Sequence, residues 1–217
     1  AFPPSHILST PDLKVGFVGV TNGDARLQEF SFDDPVTTAR EAVAAIRDQV
    51  DLVVLLANVD DRYEKTLAEE VEDVDFLVRS RTARYNRKPI VHGETVVLRV
   101  GNRGKYAGIL HVLKPEPTAS FTDVSSQMQR VEFARKRLDL LAKEVPEGQT
   151  LEAYYAEDDA RLRLVKSLRE EQANNEKLLE TLGNGYYFTA VALDTHIADD
   201  PEILPLVEEY IAASAKH

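Results

Sequence analysis

Arg79, Arg81, Arg84, Arg87 and Lys88 place five cationic side chains within ten residues. Such a cluster can hold a phosphate-bearing ligand or dock an acidic partner. Guanidinium and ammonium groups donate charge-assisted hydrogen bonds to anions. It can equally be a solvated loop, since Glu69, Glu70, Glu72, Asp73 and Asp75 lie just before it and could neutralise it. Other residue types offer less. His92 follows an apolar run and His111 sits inside another, so both read as core or edge histidines rather than ligands. His6 and His217 pair with nothing by spacing. Gly101-Asn102-Arg103-Gly104-Lys105 is glycine-rich and basic, but it lacks the Gly-x-x-x-x-Gly-Lys-Ser/Thr spacing of a phosphate loop. No Gly-x-Ser-x-Gly occurs to seat a nucleophilic serine. The chain has no cysteine. Disulfides, thiolate zinc sites, a cysteine nucleophile and iron–sulfur ligation are thereby removed.

Composition narrows the class further. The 217 residues are 43% hydrophobic, enough to bury a core and to exclude global disorder. A net charge of −11 argues against a general nucleic-acid binder or a binder of anionic membranes, which need positive potential over phosphates. No apolar run approaches the roughly 20 residues that span a bilayer. The chain opens on Ala1-Phe2-Pro3-Pro4, which reads as a processed product or a piece of something longer.

The elements that must carry these residues alternate over the first 115 positions. Residues 14–20 (KVGFVGV) form a short apolar strand, ended by the turn Thr21-Asn22-Gly23-Asp24. Asp33-Asp34-Pro35 opens a helix with Val36, Ala39, Val43 and Ile46 on one face. Residues 51–57 (DLVVLLA) read as a central parallel strand covered on both faces. A helix over 62–71, strands at 75–78, 89–92 and 95–100, and a glycine-punctuated strand to Val112 follow. This is an α/β layered sheet with flanking helices. Lys114-Pro115-Glu116-Pro117 marks the expected boundary, dividing residues 1–115 from 116–217. Beyond it, helices over 123–144 and 151–182 are expected to form a hairpin broken at Val145-Pro146. An aromatic strand at 186–193 and a last amphipathic helix after Asp199-Asp200-Pro201 complete the extension. Tyr154, Tyr155, Tyr186, Tyr187 and Phe188 are expected to pack the hairpin on the α/β layer.

Ser5-His6-Ile7-Leu8, then KVGFVGV, FDDPVTTAREAVAAIR, DLVVLLANVD, LAEEVEDVDFLV and GNRGKYAGIL, in that order, resemble the second half of the calcineurin-like metallophosphoesterase domain. The similarity is to enzymes of the 5′-nucleotidase type and covers about half the chain. It implies half of a metallophosphoesterase-like sandwich, and a chemistry in which two metal ions clamp a phosphate and activate a bridging water. Carried over residue by residue, the family's histidine ligands fall on Asn58, Arg81 and Ala83, and only Thr82 keeps the family's residue. Arginine is a permanent cation and alanine has no donor, so those positions no longer suit a metal. The family's other ligands belong to an N-terminal half with Asp-x-His, Gly-Asp and Gly-Asn-His motifs. Asp194-Thr195-His196 and Gly183-Asn184-Gly185 are the nearest fragments here, in reversed order, and read as loop polars and a helix end.

The expectation is a degenerate, non-catalytic phosphoesterase-like module for binding or assembly, with no cofactor. Its partner would be another protein chain or a second copy, with a phosphate-bearing ligand at the basic cluster. Nucleic acid and a membrane span are not expected. The alternative is a fragment of a metal-dependent phosphoesterase or 5′-nucleotidase whose catalytic half lies elsewhere. The resemblance also implies an extracytoplasmic setting.

Overall fold

A computed structural model describes residues 3–23, 30–113 and 120–214. The chain runs β1 (Ser5–Ser9), β2 (Lys14–Thr21), α1 (Pro35–Ile46), β3 (Leu52–Asn58), α2 (Arg62–Glu70), β4 (Phe76–Arg79), β5 (Ile90–His92), β6 (Thr95–Arg99) and β7 (Tyr106–Leu113). It continues with β8 (Phe121–Asp123), α3 (Ser125–Ala142), α4 (Leu151–Tyr154), α5 (Asp159–Thr181), β9 (Asn184–Ala192) and α6 (Leu204–Ser214).

Six strands form one sheet in the order β1-β2-β3-β4-β6-β5. The inner four, β2, β3, β4 and β6, are mutually parallel, and β1 and β5 pair antiparallel at the two edges. Alternation along β3 shows why its sequence is apolar throughout. Val53, Leu55 and Ala57 face α1 and α2 in one core, while Leu52 and Val54 face the opposite core. Leu52 to Leu55 are buried and leave no position for a polar residue, whereas Leu56 is exposed near the strand's end. Asp34 starts α1 by accepting from the Thr37 amide at 2.8 Å, with Pro35 in the first turn.

The opposite core is closed by a second sheet, ordered β7-β9-β8. Phe76 of the large sheet meets Phe121 at 4.8 Å and Tyr186 edge-on at 5.7 Å. Burial pushes the Tyr186 hydroxyl up to about 12. Gly108 leaves no room for a side chain, since a Cβ there would come within 2.5 Å of Val100 and 2.9 Å of the Phe188 ring. The expected boundary at 115 falls in residues 114–119, outside the described residues, as do Asp24 and His217. Across that boundary β9 pairs along β7 from Tyr106↔Ala192 to Leu113↔Gly185. Residues on either side of position 115 therefore share one sheet.

The helical extension departs from expectation in three ways. First, the helix expected over 151–182 is two helices. Asp158 accepts from the Ala160 and Arg161 amides and so starts α5 afresh after α4. An aspartate side chain competes for backbone amides and favours a cap over a helix interior. Second, the aromatic group divides. Tyr186 and Phe188 join the sandwich core, Tyr187 stacks on His111 at 4.1 Å, and Tyr155 enters a separate hairpin core with Leu138, Leu141, Val165 and Leu168. Tyr154 is exposed. Strand alternation sends neighbouring aromatics to opposite faces, so five aromatics could not form one contact. Third, α6 buries no residue. α3 and α5 run antiparallel, tied by Arg135–Glu176 at 2.7 Å and Arg161–Glu144 at 2.7 Å.

Candidate functional site at the carboxyl ends of the parallel strands

All four parallel strands end on the same rim, and their last residues are polar where the apolar runs stop. Thr21 ends β2, Asn58 ends β3, Arg79 ends β4 and Arg99 ends β6. Arg79 and Arg99 are register partners on adjacent strands. Two guanidinium groups held side by side repel unless a carboxylate lies between them. Glu64 of α2 supplies it. Its Oε2 accepts from Arg79 Nη1 at 3.0 Å and from Arg99 Nε at 2.8 Å, and its Oε1 accepts from Arg99 Nη2. Hydrogen bonding to Glu64 holds the Arg99 guanidinium above its ordinary value. Arg79 Nη2 also donates to the Val59 carbonyl at 2.9 Å and to Asp61 at 3.2 Å.

A second cluster lies beside the first. Asn22 is buried at the end of β2 and exchanges bonds with Asp60: its Nδ2 donates to Oδ2 at 2.8 Å, and its Oδ1 accepts from the Asp60 amide at 3.0 Å. Arg81 Nη2 faces Asp60 Oδ1 at 3.4 Å, and its Nη1 donates to Asn22 Oδ1. The Arg81 backbone has φ 57°, left-handed for a side chain that rarely adopts it. At the rim, then, three carboxylates, Asp60, Asp61 and Glu64, are matched by three guanidiniums, Arg79, Arg81 and Arg99.

The five residues of the expected basic patch do not share one surface. Arg79 is 0% exposed, with its charge enclosed in the fold, so it does not belong to a surface patch. Being register-paired in the sheet centre, it cannot turn outward without breaking β4. Arg81 lies over the rim, and Arg84, Arg87 and Lys88 are exposed on the loop 80–89. That loop is fixed at several points. Ser80 donates to the Ala57 carbonyl, Thr82 Oγ1 accepts from the Arg84 amide, and Asn86 pairs with the Arg99 and Lys88 carbonyls. Tyr85 stacks on Tyr106 at 4.2 Å, and its hydroxyl is pushed down by Tyr106 and then Arg87. The acidic run before the patch does not neutralise it. Asp75 pairs with Arg47 at 3.0 Å at the opposite end of β4, and Glu69 lies 3.8 Å from His92.

Among the positions the resemblance maps to metal ligands, Asn58 is exposed and offers its carbonyl to Thr21 Oγ1, Ala83 is exposed, and Thr82 is buried. Among the described residues no three His, Cys, Asp or Glu side chains are placed to share a metal ion. The residues present do not fit a metal pair. A cation would have to displace an arginine from each carboxylate and sit against fixed positive charge. Asp194 and His196 form an exposed turn after β9, with His196 Nδ1 2.9 Å from Asp194 Oδ1. Sequence reasoning missed Glu64, Arg99, Asp60, Asp61 and Asn22. The available signal was that two apolar strands, at 75–78 and 95–100, each close on an arginine.

No family model matches the chain, and no curated protein matches it significantly. Similar solved structures include the sulfate thiohydrolase SoxB of Thermus thermophilus in complex with glycerol. It is 22% identical, with a TM-score of 0.46, covering 52% of this chain and 22% of that one. The NAD nucleotidase of Haemophilus influenzae is 18% identical, with a TM-score of 0.45, covering 79% of this chain and 37% of that one. The chain therefore spans well under two thirds of either protein's length. Neither likeness bears on activity.

Proposed function

We propose that this chain is a non-catalytic, phosphoesterase-like module used for binding or assembly with a partner chain. The single observation behind this reading is the arginine network at the rim. Glu64, Asp61 and Asp60, the carboxylates best placed to face a phosphate-clamping metal, are each bonded to a guanidinium instead. A fixed organic cation can balance charge and bind anions, but it cannot lower the pKa of a bound water as a metal does. Among the described residues of this rim, each of the carboxylates Asp60, Asp61 and Glu64 is engaged by a guanidinium. Arg81, Arg84, Arg87 and Lys88 support a docking face for a phosphate-bearing or acidic ligand. The implied setting outside the cytoplasm is part of the same reading.

The test is hydrolysis of bis(4-nitrophenyl) phosphate by the purified chain with added manganese or zinc. Turnover equal to buffer is expected. Metal-dependent turnover that saturates with substrate would overturn the reading. It would favour a portion of a metal-dependent phosphoesterase or 5′-nucleotidase, which the block order of residues 5–113 supports. Inorganic pyrophosphate should bind the wild type and lose affinity in Arg84→Ala with Arg87→Ala.

A further inference from the structure

Residues 130–143 repeat a seven-residue pattern that gains meaning once exposure is known. Arg130-Val131-Glu132-Phe133-Ala134-Arg135-Lys136 is followed by Arg137-Leu138-Asp139-Leu140-Leu141-Ala142-Lys143. Val131, Ala134, Leu138 and Leu141 are the buried positions of α3. Phe133 and Leu140 are one heptad apart on a different face, and they stand 62% and 52% exposed. Residues three and four apart on a helix are neighbours. Arg130 and Arg137 therefore border this apolar seam on one side, and Lys136 and Lys143 on the other. The side chains of Arg130, Arg137 and Lys143 have no hydrogen-bond or ion-pair partner among the described residues.

The matching surface is α6. Leu204, Val207, Tyr210 and Ile211 lie along one stripe at helical spacing, all exposed, with Tyr210 at 74%. Glu208 borders that stripe one turn after Leu204. Residues 194–214 carry six carboxylates and no Lys or Arg. An apolar helix with acidic margins is repelled by an anionic bilayer and attracted to an apolar seam with basic margins.

We propose that α6 of one copy of this chain docks on the Phe133–Leu140 seam of α3 in a second copy. Each copy offers both surfaces, so reciprocal docking closes a two-fold dimer containing the contact twice. This names the partner that the assembly reading leaves open and rests on that reading. The hydrolysis assay and the association assay fail separately, because no residue of either surface belongs to the rim network of Glu64, Asp60, Asp61 and their arginines.

The chain has no cysteine, so Phe133→Cys and Val207→Cys each introduce a single thiol. The two variants are mixed, oxidised and resolved by mass, beside light scattering of the wild type. The mixed disulfide should exceed both like-with-like products, and the wild type should have twice the 24.3 kDa chain mass. Arg137→Glu should weaken association about thirtyfold, as loss of two interface ion pairs of about 1 kcal/mol each requires, and Glu208→Arg in the same chain should restore it. Both residues are exposed, and unchanged circular dichroism confirms that these variants fold. A monomeric mass at every concentration, a mixed disulfide no more abundant than the others, or a double-cysteine variant that closes within one chain would each overturn the proposal. So would failure of the charge swap to restore association.

Discussion

At its amino end β4 begins beside Asp75, whose carboxylate accepts from the Val53 amide at 2.7 Å and faces Arg47 at 3.0 Å. At its carboxyl end it closes on Arg79, which meets Glu64 at 3.0 Å and Asp61 at 3.2 Å. Both ends pin the same strand with a carboxylate and a guanidinium, yet their solvent access differs. The Asp75 and Arg47 side chains keep 20% and 16% of their surface in water, whereas Arg79 keeps none. A charge that retains water can lose its partner and be rehydrated. A charge without water depends wholly on its partners. The amino end is thus a fastening between strands. The carboxyl end is a charge-balanced plug among the described residues of the rim on which all four parallel strands end.

Arg79→Met gives the largest test of that contrast. It removes the central cation and leaves Glu64 buried with Arg99 alone, and the expected loss is about 3–5 kcal/mol in urea unfolding. A loss no larger than that of a surface arginine would mean that the plug is not under charge balance. Asp75→Ala should cost less, about 1–3 kcal/mol, because it orphans the Val53 amide beside solvent-accessible Arg47. If Asp75→Ala proves the more damaging of the two, the contrast is reversed.

The amino end also has a pH signature. Burial is the chief cause that raises the Asp75 pKa in the folded protein. A carboxyl raised on folding holds its proton more tightly when folded. Its contribution to stability therefore falls as pH rises from the ordinary carboxylate value of about 3.9 up through the raised value. Asp75→Asn abolishes this term, so the stability difference between wild type and variant should shift in that window. Urea midpoints measured at a series of pH values would show a parallel pair of curves if the term is absent. The smallest effect is expected for Arg81→Gly. Loss of a partly exposed pair with Asp60, worth about 0.2–1 kcal/mol, is offset by relief of the left-handed backbone at φ 57°. A loss well beyond that range would place Arg81 in the plug rather than over it.

Much of the fold was legible from particular runs. The apolar stretch around Val53 announced a strand covered on both faces, and Asp34-Pro35 announced the start of α1. Those signals are local, because periodicity and capping depend on residues within one or two turns. The hairpin was legible less completely. Asp158 interrupts it, and an aspartate within a helical pattern reads as a surface residue until its amide partners are seen. The candidate site was the least legible part. Arg79 stood out as one of a cluster of cations in sequence, but its charge partners are Glu64 and Asp61, on the far side of β3's exit and not in the acidic run beside it.

The sequence by itself determined the alternation of strands and helices, the lack of any thiol chemistry, and the cationic identity of the residues that end β4 and β6. Only the tertiary structure decided that β7 and β9 join across position 115, that Arg79 and Arg99 stand side by side around Glu64, and that the α3 seam and α6 are left uncovered. The physical reason is common to all three. Residue type fixes what a side chain can do, whereas pairing, burial and the sign of the local field depend on which strands become neighbours. That choice is made by covering both faces of one sheet.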